Sequence, residues 1–349
     1  MKNTLYAGIL LLLLGLTACT STKKTVINEF TSIKIDTLYT GKISIRAIAA
    51  DNDTIYYAGS DKKLGFVATK AKYEKQLTSI PRNFEFRSIA LTNKYVYFLS
   101  IESPAQLYRY SRDFKQGELV YEETHAKAFY DSMHFWNDNE GIAIGDPTAD
   151  CLSIIITRDG GKTWQKIPCS QLPKVIDGEA AFAASNTNIS IKGNSCWVVS
   201  GGKQSRVFHS PDKGTSWKVY NTPIVQGEAM TGIFTADFYN ESIGFIAGGN
   251  YEKPNQNDQN KAITLDGGKT WTLVGEKVGF GYASCVQFVP DSNGKALVSV
   301  GATGLHYSND SGNIWKQFST DASLYTIRFL NAQEAIAAGK DKIIRIRFK

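Results

Sequence analysis

The sequence lacks the short motifs that identify several common classes of protein. No Gly-x-Gly-x-x-Gly pattern opens a helix, so the usual fingerprint of dinucleotide-binding enzymes is missing. No Cys-x-x-Cys pair has the spacing of a zinc or redox site. The net charge is +6, but lysines and arginines are dispersed and form no basic stripe for nucleic acid. We therefore predict no metal, no cofactor and no nucleic-acid partner.

The apolar run near the start, Ile9 to Leu14, is too short to span a bilayer comfortably. It follows a lysine and precedes Leu16-Thr17-Ala18-Cys19, which is the order of a signal peptide. Those four residues resemble a bacterial lipobox. The resemblance implies a lipoprotein signal peptide over residues 1–18, lipidation of Cys19, and a tether over residues 19–26. The tether lacks the acidic run that some lipoproteins use for surface export, which favours the periplasm-facing side of the outer membrane.

No Pro/Ser-rich linker divides the remainder of the chain. We therefore expect residues 27–349 to form one domain, and we expect a monomer. Export also argues against a nucleic-acid partner.

One short phrase occurs four times. Each copy has Ser or Thr, Asp two residues on, Gly two after that, and Trp three after the Gly. The copies are Thr157-Asp159-Gly161-Trp164, Ser210-Asp212-Gly214-Trp217, Thr264-Asp266-Gly268-Trp271 and Ser308-Asp310-Gly312-Trp315. Hydroxyl and carboxylate can bond within a turn, Gly accepts a positive φ, and Trp packs on a sheet. With β-branched runs on both sides, each copy predicts a β-hairpin.

The spacing of these hairpins predicts the architecture. Successive Asp residues are 53, 54 and 44 residues apart, and repeats of this length with about four strands are typical of propeller blades. The phrase resembles the Asp-box, or BNR repeat, of sialidases, sortilin-type receptors and the lumenal photosystem II assembly factors. The resemblance implies that the Asp and Trp residues are structural and lie on the face away from the binding site. Ile314 replaces the usual Thr, and Thr215-Ser216 replaces Lys-Thr, so we expect those two turns to be looser.

A second repeated phrase gives a count of blades. It reads as a strand ending in Phe, a polar turn, and a second strand ending near Gly. Its copies begin at Arg46, Ser88, Met133, Ala180, Ala236, Val286 and Ile327. We therefore predict an all-β, seven-bladed β-propeller with four-stranded antiparallel blades. The last copy lacks a fourth strand, and the alternating segment from Ile27 can supply it and so close the ring.

Four cysteines remain after lipidation. In a hairpin centred on Gly160, Cys151 stands opposite Cys169. Because the periplasm is oxidising, we predict a disulfide between them. A slip of one residue would place them on opposite faces. Cys196 and Cys285 are expected to be buried thiols.

The first strand of each blade should line the central channel. Aligned on the strand-end Phe, two same-face positions carry polar residues. Three residues before it stand Arg46, Arg87, Ser132, Glu179, Thr235, Cys285 and Thr326; one residue before it stand Ile48, Ile89, His134, Ala181, Asp237, Gln287 and Arg328. Loops beginning at Gly145, Ile176 and Gly248 are expected to extend the mouth.

This alignment predicts a charged cluster of Arg46, Arg87, Arg328, Glu179, Asp237 and His134. One interpretation is a water-filled tunnel whose charges pair with one another. The other is a pocket for an anionic or hydroxyl-rich ligand, with arginine as a bidentate donor.

Three functions stay open. The first is a lipid-anchored, non-catalytic scaffold that binds a protein or glycan, as the resemblance to the assembly factors implies. The second is a sialidase-type glycoside hydrolase, for which Arg46, Arg87 and Arg328 would mimic the arginine triad. Its weak catalytic candidates are Glu179 (paired with Tyr282 or Tyr325), Asp237 and His134. The third, a redox protein with a cofactor in the tunnel, has weaker support. An enzyme should keep Glu179 unpaired and reachable, whereas a scaffold should bridge it to an arginine.

Overall fold

The computed structural model describes residues 29–51, 53–70, 73–77 and 84–349. The predicted signal peptide, the lipidation of Cys19 and the tether lie outside the described residues. Within the described part of the chain, no helix is long and apolar enough to cross a membrane.

The described residues form strands joined by turns, with one short 3-10 helix at Cys169–Gln171. The first half of the chain contains β1 (Ile33–Asp51), β2 (Thr54–Gly59), β3 (Leu64–Ala68), β4 (Glu74–Leu77), β5 (Phe86–Leu91), β6 (Tyr95–Ser100), β7 (Ala105–Ser111), β8 (Gly117–Glu123), β9 (Tyr130–Phe135), β10 (Gly141–Gly145), β11 (Ser153–Thr157), β12 (Gln165–Lys166), β13 (Glu179–Ala180) and β14 (Ile189–Lys192). The second half contains β15 (Ser195–Val199), β16 (Gly201–Gly202), β17 (Arg206–Ser210), β18 (Lys218–Asn221), β19 (Thr231–Phe238), β20 (Gly244–Asn250), β21 (Lys261–Thr264), β22 (Thr272–Leu273), β23 (Ala283–Phe288), β24 (Leu297–Gly301), β25 (Gly304–Ser308), β26 (Lys316–Ser319), β27 (Leu324–Asn331) and β28 (Glu334–Phe348).

These strands form antiparallel sheets arranged as a β-propeller. Four sheets have four strands: β5 to β8, β9 to β12, β14-β15-β17-β18, and β23 to β26. Two have six: β27-β28-β1-β2-β3-β4 and β13-β16-β19-β20-β21-β22. The innermost strands contact one another around an axis, from β1 through β5, β9, β14, β19 and β23 to β27, which contacts β1 again.

The predicted count of seven blades is wrong, because the described strands form six sheets. The error lies where the two ends of the chain meet. β1 is 19 residues long; its first half pairs with β28, beginning with Ile33 opposite Phe348. Its second half pairs with β2 and ends with Asp51 opposite Thr54. The first and seventh predicted units therefore share β1 and belong to one sheet.

Apolar side chains fill the spaces between neighbouring sheets. Between the β5–β8 and β9–β12 sheets, for example, Leu107, Met133 and Ile155 are fully buried. Tyr97 stacks on Phe135 in the same cluster, with ring centroids 4.5 Å apart. Burial of this kind supplies the main favourable free energy of folding.

The first three repeat turns share one hydrogen-bond pattern, and the fourth, around Asp310, keeps all but one of its bonds. In the first, the Thr157 hydroxyl donates to Asp159 (2.9 Å) and accepts from the backbone N–H of Gly161 (2.9 Å). Asp159 also accepts from the backbone N–H of Thr163 (3.0 Å) and from its hydroxyl (2.7 Å). The carboxylate of Asp159 therefore makes its hydrogen bonds within the turn. The same pattern is found around Asp212 and Asp266.

The two variant turns differ less than the sequence suggested. Ser216 makes both bonds to Asp212, so that turn is not loosened. Ile314 keeps only its backbone bond to Asp310 (2.9 Å) and thus lacks one side-chain bond.

A disulfide joins Cys151 and Cys169, with Cα atoms 5.4 Å apart. The register argument behind this expectation is wrong by one residue, because Ile156 pairs with Gln165, whereas a hairpin centred on Gly160 would pair it with Trp164. Both cysteines lie outside the paired strand residues, Cys151 before β11 and Cys169 in the 3-10 helix, so the strand register does not fix their separation. Cys196 and Cys285 are buried free thiols.

Candidate functional site

Six inner strands each contain a register shift near the start of their pairing with the next strand, and the shift leaves one residue out of the pairing. Such a residue is released from the sheet's regular alternation and can be aimed elsewhere. The residues concerned are Arg46, Arg87, Asp131, Phe234, Ser284 and Tyr325. Because inner strands surround the axis, these bulged residues form a ring at one mouth of the propeller.

The bulges explain an error in the sequence alignment. That alignment matches Arg46 and Arg87 with Ser132, but their structural equivalent is Asp131. The inner strands β1 and β5 do not end in Phe, so the alignment has no fixed reference in them. Sequence reasoning misses Asp131 for a related reason, since a bulge has no signature in one sequence.

The axis itself is filled by residues 182–188, which we call the axial segment. This segment bonds to inner strands on several sides. Its partners are Arg46 Nη1 to Ala184 O (3.3 Å), Asn186 Nδ2 to Ile89 O (2.8 Å), Met133 N to Asn186 Oδ1 (2.9 Å), Ala236 N to Thr187 O (2.8 Å), Ser185 Oγ to Ser284 O (2.5 Å) and Thr326 Oγ1 to Ser185 O (3.2 Å). The channel of the first interpretation is therefore occupied by protein backbone.

Four of the predicted site residues bond to the axial segment: Arg46, Arg87, Arg328 and His134. Arg328 donates to the Ser185 carbonyl (3.0 Å), to the Thr326 hydroxyl (3.0 Å) and to the Ile327 carbonyl (2.7 Å). Nε2 of His134 bonds the Asn186 carbonyl (2.9 Å). Burial, and to a lesser extent the charge of Arg328, lower the pKa of His134 to about 4, so the ring is neutral at pH 7.

Glu179 is not in the channel. Its Oε1 accepts from Arg206 Nε (2.9 Å) and from the Ser200 hydroxyl (2.6 Å), and its Oε2 accepts from the Ile176 N–H (3.2 Å). The Glu179 side chain has 0% exposure. Its carboxylate is thus bridged to an arginine and unreachable, which is the arrangement expected of a scaffold.

Asp237 is also engaged in structure. Its Oδ2 accepts from the backbone N–H of Phe288 (2.8 Å), across to the next inner strand. Burial raises the pKa of its carboxyl group. The structure therefore does not bring Glu179, Asp237 and the arginines together at one reactive centre.

A cavity of about 430 Å³ lies at the mouth where the bulged residues gather. Its aromatic wall is compact: Phe182 stacks on Phe234 with centroids 3.9 Å apart, and Tyr282 meets Phe234 edge-on at 4.8 Å. Tyr251 packs on Tyr282 at 5.2 Å and is 47% exposed. Burial raises the pKa of the Tyr282 hydroxyl, which therefore stays protonated. The cavity can accept an apolar group.

Two arginines line the same cavity. The Arg46 guanidinium lies 4.4 Å over the ring of Tyr325 and donates to the Ala184 carbonyl, and its buried Nε has no hydrogen-bond partner among the described residues. Arg87 donates to Glu85 (2.7 Å) and to the Ala183 carbonyl (3.5 Å). A guanidinium has five donors, so each arginine retains donors beyond these bonds. The cavity can therefore also accept an anionic group.

Acidic groups complete the site. Asp146, from the loop that begins at Gly145, lines the cavity and accepts from the Ala181 N–H (2.9 Å). Burial raises the pKa of Asp146 to about 6. Asp131 is fully buried, and neither of its oxygens has a hydrogen-bond partner in the described part of the chain. Burial and the neighbouring Asp146 raise its pKa well above the usual range, against the opposing charge of Arg87.

The cavity and the repeat turns lie at opposite ends of the strands. Asp146 directly follows β10, whereas the first repeat turn follows β11, which runs antiparallel to β10. Loops after successive antiparallel strands emerge at opposite edges of a sheet. The four turns are therefore remote from the site.

Comparison with known proteins identifies the fold. No family model matches the chain, and no curated protein matches it. Among solved structures it is similar to Ycf48 bound to a D1 peptide, with a TM-score of 0.64, 13% identity, and coverage of 92% of this chain and 98% of that one. It is also similar to Ycf48 from Cyanidioschyzon merolae (TM-score 0.62, 13% identity, 91% and 98% covered) and to the RRP9 WD40 repeats (TM-score 0.63, 11% identity, 92% and 100% covered). At these identities the likeness concerns the fold alone: the chain is a β-propeller.

Proposed function

We propose that this protein is a non-catalytic binding scaffold that holds a peptide segment of a protein partner in the mouth cavity. Arg46 and Arg87 would bind an anionic group of that segment, and the wall of Phe182, Phe234 and Tyr282 would hold an adjacent apolar side chain. One observation carries the proposal: two arginines that keep N–H groups without hydrogen-bond partners lie beside an aromatic wall in one cavity.

Two further observations support a scaffold. Glu179 is bonded to Arg206 and buried, which removes the nucleophile candidate of the glycoside hydrolase alternative. Among proteins of similar fold, Ycf48 binds a D1 peptide. A peptide is therefore favoured over a glycan as the occupant.

We also propose export and lipid anchoring through Cys19, facing the periplasm from the outer membrane. The Leu16–Cys19 sequence supports this, and the Cys151–Cys169 disulfide fits an oxidising compartment. The repeat turns are proposed to be Asp-boxes, as in sialidase-like propellers. Replacing Cys19 by Ala should move the protein from the membrane to the soluble fraction, and persistence in the membrane would contradict the anchor.

The binding proposal is tested by selecting peptides from a random display library on the purified protein. Selected peptides should carry a carboxylate next to an apolar residue. Arg46→Gln and Arg87→Gln should each weaken their binding about 10- to 100-fold, as expected for loss of a charge-assisted hydrogen bond. Arg158→Gln is the matched control, since Arg158 is an ion-paired arginine outside the cavity. Equal binding to all three variants would refute the proposal.

A further inference from the structure

We propose that Asp146, backed by Asp131, forms a second subsite of the mouth cavity that receives an organic cation, such as the ammonium group of a lysine or of a peptide amino terminus. The inference rests on the proposed function, because it adds a second charged group to the same occupant. It assigns groups of both charges to one cavity.

The first observation is the isolation of Asp131. This residue has 0% exposure, and neither carboxyl oxygen accepts a hydrogen bond from any described residue. Buried polar groups in folded proteins are nearly always hydrogen-bonded, so an orphan carboxyl group needs a specific explanation. Asp131 occupies the bulge of β9, the position equivalent to those of Arg46 and Arg87, which line the cavity.

The second observation is that Asp146 joins Asp131 to the cavity. Asp146 lines the cavity itself, and its Oδ1 is engaged by the Ala181 N–H. The charges of the two carboxyl groups interact. A group bound at Asp146 would therefore act on both carboxyl groups.

No cation among the residues that the structure describes satisfies this pair. Arg87 is the cation whose charge acts on Asp131, but its hydrogen bonds go to Glu85 and to the Ala183 carbonyl. Arg46 lies over Tyr325, and the hydroxyl of Tyr282 is neutral. Elsewhere around the axis, His134 is neutral and bonded to Asn186.

The surroundings define the class of cation. Two carboxyl groups are too few for a calcium ion, which takes about six to eight oxygen ligands. The cavity wall is aromatic, and aromatic faces attract ammonium and guanidinium groups. An organic cation would also allow the acid pair to ionise, because an opposite charge offsets the burial that now favours the protonated form.

The test uses phenethylamine as the probe, with its neutral analogue 2-phenylethanol as the control, in calorimetric titrations at about pH 5 and pH 8. The probe stays protonated over this range, like a lysine. Asp146 has a pKa of about 6, so binding should tighten about tenfold from pH 5 to pH 8 as the carboxyl group ionises. Asp146→Asn should abolish this tightening. Asp150→Asn, a change at an exposed residue of the same loop that pairs with Lys174, should leave it intact.

A third probe, 3-phenylpropionate, separates this inference from the proposed function. Its binding should depend on Arg46 and Arg87 and should weaken over the same rise in pH. If phenethylamine binds no better than 2-phenylethanol, or if Asp146→Asn keeps the pH dependence, the cation subsite is refuted. If phenethylamine binds as expected but 3-phenylpropionate does not bind, the result counts against the anion site and leaves the cation subsite standing.

Discussion

Replacing Asn186 removes the two hydrogen bonds through which its side chain ties the axial segment to the surrounding strands. Oδ1 accepts from the Met133 N–H (2.9 Å), and Nδ2 donates to the Ile89 carbonyl (2.8 Å). Asn186 is 2% exposed, so both backbone groups would be left buried without partners. Each orphaned group costs about 1–3 kcal/mol, which gives a loss of about 2–6 kcal/mol in the free energy of unfolding for Asn186→Gly.

The backbone at Asn186 adds a second, separable contribution. Its φ is 61°, in the left-handed region that Asn and Gly tolerate better than Ala. Asn186→Ala should therefore cost about 1 kcal/mol more than Asn186→Gly. Asn293 is the control, since it is exposed and has a φ of 53°. Asn293→Ala should cost only about the 1 kcal/mol that belongs to the backbone.

Urea unfolding followed by tryptophan fluorescence gives these differences from the shift of the midpoint at constant slope. A wild-type midpoint for Asn186→Gly would refute the idea that side-chain bonds hold the axial segment. Equal midpoints for the Gly and Ala variants would refute the backbone contribution.

Three further predictions concern buried groups. Glu179→Ala should lower the free energy of unfolding by about 3–5 kcal/mol, because Arg206 would stay buried without its partner; a melting temperature equal to that of the wild type would contradict this. Asp131→Asn should stabilise the protein by about 1–3 kcal/mol at pH 8. Burial raises the pKa of Asp131, so the folded state keeps a proton that the unfolded chain releases above about pH 4, and wild-type stability falls as pH rises. The advantage of the variant should therefore vanish at about pH 4, and an advantage independent of pH would show that charge is not its cause. Replacing Cys151 and Cys169 by Ser opens a loop with a sequence separation of 18 and should cost about 3 kcal/mol, measured as a lower urea midpoint; an unchanged midpoint would refute it.

The sequence predicted those parts of the fold that are specified locally. The turn at Asp159 could be predicted because its hydroxyl, carboxylate and glycine lie close together along the chain. The pairing of an N-terminal segment with the last unit could also be predicted, and β1 does pair with β28. The number of sheets could not, because β1 runs without a break from this pairing into its pairing with β2 and so joins the first and last units in one sheet.

The candidate site was predicted by residue type but not by arrangement. Arg46, Arg87 and Arg328 do lie around the axis. Arg46 and Arg87 line the cavity, whereas Arg328 bonds to the axial segment and is not among the lining residues. The copy that begins at Ala180 predicts a first strand ending at Phe182 and a polar turn after it. In the structure β13 ends at Ala180 and the chain then enters the axis, where its partners come from several distant strands. A single sequence does not show those partners.

The axial segment also explains why polar residues are found on the inner strands. An irregular segment buried along the axis brings carbonyl groups that have no ladder partners, and each must be satisfied. Arg328 and His134 satisfy the carbonyls of Ser185 and Asn186. Arg46 and Arg87 likewise donate to the carbonyls of Ala184 and Ala183, and they also line the cavity at the mouth, together with Asp146. Because the axis is filled, the proposed binding is placed in the mouth cavity, at the end of the propeller opposite the repeat turns.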